Sequence, residues 1–121
     1  MFKHFLTYTL ALAFHRSCCA LDFPPGIPEA LAKRQKDRLL RSSETLIHHF
    51  ARAVHTQDIK EESRFLAVAL LSLRDCRESF DEAGIAVQHE VRAQYRTLHG
   101  RLEQLVEKAA STEGGQLRML G

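Results

Sequence analysis

The run Ala51-Arg-Ala-Val-His-Thr-Gln-Asp-Ile-Lys-Glu-Glu62 decides the fold. It breaks a long helical pattern at His55-Thr-Gln-Asp58, and Asp58 precedes Glu61 by the three residues of a capping box. The acids Asp58, Glu61 and Glu62 also suit the positive end of a helix dipole. Upstream, Leu39, Ser43, Leu46, Phe50 and Ala53 recur at 4-3-4-3 spacing beside Leu40, Ile47 and Val54, a broad apolar stripe that faces a core. Downstream, Leu66, Ala69, Leu73, Cys76 and Phe80 recur at 3-4-3-4 spacing, a heptad seam. A connection this short makes the two helices antiparallel neighbours.

Charge supports the hairpin. Folding the chain about residues 57–58 sets the basic run Lys33, Arg34, Lys36, Arg38 and Arg41 opposite Asp75, Glu78, Asp81 and Glu82. Residues 28–56 carry six bases and three acids, +3, and residues 58–82 carry four bases and seven acids, −3. Such complementarity sets partner and register more than it stabilises, each exposed pair being worth roughly 0–1 kcal/mol.

From Pro28 to Ala110 there is no further proline, and the only glycines are Gly84 and Gly100. Pro28 suits the first turn of a helix, where its missing N–H costs nothing. Gly84 has Phe80 and Ile85 placed for the hydrophobic contact of a Schellman motif. Beyond it Val87, Val91, Tyr95, Leu98, Leu102, Leu105 and Ala109 form another stripe. The expected fold is all-α: an antiparallel helical hairpin extended to a small three-helix bundle, with helices at about 28–56, 58–83 and 85–110. The alternative is a hairpin whose second helix runs on unbroken. Residues 21–27 read as a Pro/Gly lead-in and 111–121, with Gly114-Gly115, as a flexible tail.

Residues 1–20 differ from the rest. They hold no Asp or Glu, and Lys3 and His4 lead into the mostly apolar stretch 5–14. His15-Arg-Ser-Cys-Cys-Ala20 follows, and then Pro24-Pro25-Gly26. That is the layout of a secretory signal peptide cut after Ala20. Ten residues rise only ~15 Å as a helix, about half a hydrocarbon core, which disfavours a permanent membrane span. Two other readings compete: a retained amphipathic helix with Phe2, Phe5, Leu6, Leu10, Ala13 and Phe14 on its stripe, and an organelle transit peptide. Removal of residues 1–20 would leave fifteen bases against fifteen acids and Cys76 as the only thiol, which excludes a disulfide-stapled domain.

Composition bounds the chemistry. The chain has 121 residues and 13.8 kDa, one domain's worth, with 45% apolar and 26% charged residues. A net charge of +2 excludes a polycation built for nucleic acid. Seven histidines invite a metal, yet no two of those in the helical region stand four apart, and His-Glu-x-x-His and Cys-x-x-Cys are absent. No metal, cofactor or catalytic constellation is expected, and Cys76 reads as a core residue. Arg96-Thr-Leu-His-Gly100 is the nearest match to the motif of four-helix phosphotransfer domains, but an Arg at the phosphoacceptor position cannot take a phosphoryl group.

Two sets of residues stand out as binding candidates. His89, Arg92, Arg96 and His99 share one face of the last helix as a partner or anion strip. Lys33, Arg34, Lys36, Arg38 and Arg41 form a basic patch. The expected function is that of an exported, secreted or periplasmic, non-catalytic helical bundle acting by protein–protein contact: an accessory subunit, inhibitor, chaperone or envelope adaptor. Its partner is a protein, or a second copy through the helical seam. The alternative is a cytosolic regulator binding nucleic acid through residues 33–41, disfavoured by Asp37, by the lack of interleaved aromatics and by the acidic run opposite.

Overall fold

Helices α1 (Phe5–Ala20), α2 (Glu29–His55), α3 (Ile59–Glu82) and α4 (His89–Leu120) follow one another along the chain, and no strand occurs among the described residues. The computed structural model describes residues 3–22, 26–82 and 89–120, the last stretch as backbone only beyond Thr112. Gly84 and Val87 lie outside the described residues.

The hairpin forms where the sequence predicts it. Asp58 caps α3, its Oδ1 accepting from the N–H of Lys60 at 2.8 Å and of Glu61 at 3.1 Å. The reciprocal half of the box is rerouted through Thr56. Its hydroxyl accepts from the Asp58 N–H at 3.2 Å and donates to Glu61 Oε2 at 2.9 Å.

The seam residues of α2 and α3 are buried, with Leu39, Ser43, Leu46, Phe50, Ala53, Ala69, Leu73 and Cys76 wholly enclosed, while the flanking Leu40 and Ile47 are half-buried. Helices α3 and α4 are also antiparallel neighbours: Arg74 reaches His99 at 3.2 Å and Glu103 at 3.6 Å. An unbroken helix from 58 onward is therefore ruled out. On α4 the stripe is as expected, Val91, Tyr95, Leu98 and Leu102 being buried and Leu105 and Ala109 packed beside them. The backbone stays helical to Leu120, across Gly114-Gly115, where the sequence predicts the helix to stop at 110. Gln116, Leu117, Arg118 and Met119 are good helix formers that add little further cost to the glycine penalties of about 1 kcal/mol each.

The larger departure is α1. Residues 5–20 form a fourth helix in the core, with Ala11, Phe14 and Cys18 fully buried and Thr7 nearly so. The predicted stripe is displaced: Phe14 points inward, but Phe5 and Leu6 are exposed. Apolar residues surround this helix almost completely, so periodicity does not single out the packed face.

The packed face is that of Thr7, Ala11, Phe14 and Cys18. Against α2, Tyr8 meets Phe50 edge-on at 5.7 Å and His15 Nδ1 bonds the Ser43 hydroxyl at 2.7 Å. Against α4, Phe14 packs on Tyr95 at 6.1 Å. Polar contacts pin both ends. Lys3 donates to the Thr56 carbonyl at 2.7 Å and, with His4, meets Glu62, while Lys36 donates to the carbonyls of Cys19 and Leu21. Each helix runs antiparallel to the next and α4 returns beside α1, an up-down-up-down four-helix bundle.

Candidate functional site: an arginine cleft between α3 and α4

Antiparallel packing of α3 and α4 brings together side chains that lie well apart in sequence. Arg77, Phe80 and Asp81 from α3, with Arg92, Tyr95 and Arg96 from α4, line a cleft of about 260 Å³. Phe80 and Tyr95 are core residues whose edges form its apolar lining. Arg77 lies 3.8 Å from Asp81 one turn on, an exposed pair of little strength. Arg92 and Arg96 are exposed and have no ion pair with any described acid. Three guanidinium groups against one carboxylate leave the cleft cationic. Burial pushes the Tyr95 hydroxyl above its ordinary value, a rise moderated by its contact with Arg77, so at neutral pH it is a hydrogen-bond donor beside the arginines.

The predicted strip on α4 is thus divided. His89, Arg92 and Arg96 face solvent. His99 is drawn into the bundle, stacked on Tyr95 at 5.6 Å and bonded at both ring nitrogens: Nε2 accepts from Arg74 and Nδ1 meets Glu103 at 3.1 Å. It acts as a link between helices. Arg77, Phe80 and Tyr95 are the residues that the single-helix reading missed. Folding the chain a second time, about residues 86–87 in number, would have placed Arg77 opposite Tyr95 and Arg96.

The basic run on α2 is divided more sharply. Arg38 alone carries the predicted match to α3, at 2.6 Å from Asp75, 3.2 Å from Glu78 and 2.6 Å from Glu82. The Arg38 hydrogen bond, with that of Ser42, holds the Asp75 carboxyl below its ordinary range. Lys36 is spent on the end of α1, and Arg41 Nε on the Asp37 carbonyl. Lys33 and Arg34 are exposed without an ion pair to a described residue, and Asp81 pairs with Arg77 instead of the basic run. The five cations do not present one free face to phosphate.

Burial raises both core thiols, Cys18 to about 12 and Cys76 further, which favours the protonated form of each. Cys19 lies 3.7 Å from His15 Nε2, but on the open surface at the end of α1. Among the described residues no three His, Cys, Asp or Glu side chains converge as metal ligands, and no helix is long and apolar enough to cross a membrane. The heptad seam of α3 is filled from within the bundle and offers no surface to a second copy. No protein-family model, curated protein or solved structure matches the chain.

Proposed function

We propose that this chain is a non-catalytic helical bundle that works by protein contact, reading an acidic segment of a partner in the α3–α4 cleft. The observation that carries the reading is the convergence of Arg77, Arg92 and Arg96 on an apolar lining of Phe80 and Tyr95. Arginine suits carboxylates by its planar fork of donors, and an aromatic or aliphatic side chain between the acids would cover the lining. Arginine and tyrosine are also the residue types that dominate binding energy at protein interfaces.

A capped Glu-Glu-Phe-Glu-Glu peptide is the probe. Nuclear magnetic resonance titration should move the resonances of Phe80, Tyr95 and the flanking α4 amides, with affinity falling as salt rises. The Arg92→Glu, Arg96→Glu double variant alters exposed positions only, so it should melt like the wild type and bind at least tenfold more weakly. Equal binding by the two proteins refutes the site.

This reading treats residues 5–20 as part of the working fold, because Ala11, Phe14 and Cys18 belong to the core. Export with removal of residues 1–20 is the competing reading, supported by the acid-free apolar layout of that segment.

A further inference from the structure

Helix α3 shows solvent an apolar pair that the bundle does not use. Leu71 is 61% exposed and Val68 36%, on the face turned away from the core. They border a shallow groove of about 400 Å³ shared with α2 and edged by Arg38, Arg41, Thr45 and Asp75. Arg64, Val68, Leu71 and Asp75 follow one another at 4-3-4 spacing, which puts cation, two apolar residues and anion in line on one helix face.

We infer that this face pairs with the same face of a second copy about a twofold axis crossing α3 between Ala69 and Leu70. The order along the face is what selects a second copy. A twofold there runs the two α3 helices antiparallel and sets Val68 against Leu71 of the second copy, and Leu71 against its Val68. In the same step Arg64 meets Asp75 of the second copy, and Asp75 meets its Arg64. One surface thereby supplies both halves of the apolar contact and both halves of two ion pairs, as an isologous interface requires. Arg64 is exposed and has no ion pair to a described residue, and Asp75 keeps 36% of its side chain open while bound to Arg38. At the ends Glu61 faces Glu78 of the second copy. The helix of the second copy lies parallel to α2 in this register, and its Glu61 falls level with Arg38 and Arg41, cations that offset the repulsion. Two apolar residues per copy make a small contact, below the usual size of a permanent interface, so the dimer is reversible.

Sedimentation equilibrium over 10–500 µM, in reducing buffer to silence the exposed Cys19, reads the inference. The wild type should shift from 13.8 kDa toward twice that mass across this range. Leu71→Asp should stay monomeric throughout, with an unchanged melt at low concentration because position 71 is outside the core. Arg64→Asp should weaken association at least tenfold, since both ion pairs become like-charge contacts. A wild type still monomeric at 500 µM overturns the inference. A dimer that persists in Leu71→Asp overturns the face, and Arg64→Asp associating like the wild type overturns the twofold register.

Discussion

Truncating Phe14 tests whether α1 is a load on the bundle or a part of it. The ring is fully buried, faces Tyr95 of α4 and shares its helix face with the enclosed Ala11 and Cys18. Phe14→Ala removes the ring and leaves a void between helices that can close only if α1 shifts. Its shift is restrained by Lys3 and His4 at one end and Lys36 at the other. Limited relaxation places the cost at about 3–5 kcal/mol. A domain of this size has a total stability of about 5–15 kcal/mol, so roughly a fifth or more of it is at stake. At roughly 3–6 °C per kcal/mol, the melting temperature should fall by about 10–30 °C. Urea unfolding followed by circular dichroism should show a lower midpoint and an unchanged slope. Leu6→Ala is the matched control, because Leu6 is 67% exposed and its loss should change stability by less than 0.5 kcal/mol. If Phe14→Ala melts within about 1 kcal/mol of the wild type, α1 does not pack into the core and the four-helix reasoning fails.

Acid should find the α2–α3 hairpin through Asp75. Arg38 and Ser42 hold its folded carboxyl below the ordinary 3.8, so the stabilisation is complete above that value and is lost as pH falls through the lowered one. Stability plotted from pH 5 to pH 2 should fall less steeply in Asp75→Asn than in the wild type, and parallel curves would refute the linkage. The intact mass of the protein from its native source should include residues 1–20 if α1 belongs to the working fold, and a chain beginning at Leu21 would favour export instead.

The two central helices were legible because several physical signals coincide there. Leu39 to Ala53 and Leu66 to Phe80 each mark one face, Asp58 marks the boundary, and the charges match across the turn. What the sequence could not apportion was which cation meets which anion. All five bases of residues 33–41 lie near the acidic run in number, yet only Arg38 has both the helix face and the reach to bond Asp75, Glu78 and Glu82 at once. Lys36 turns the other way because α1 ends there with unpaired carbonyls, and a helix read as a leader offers no such partner.

The two readings of α1 and the missed half of the cleft have a common cause. An export signal and a core helix both need a short apolar run free of acids, and composition alone cannot separate them. A core helix also needs a groove of matching shape elsewhere in the chain. Here the groove lies between α2 and α4, lined by Ser43, Phe50 and Tyr95, and it accepts Tyr8, Phe14 and His15. A stripe along one helix reports that it packs, but not against what. The cleft follows the same rule: Arg92 and Arg96 become a site only when α3 sets Arg77 and Phe80 across from them. Function in a bundle of this kind is therefore a property of pairs of helices, and the periodicity of any one helix carries only half of it.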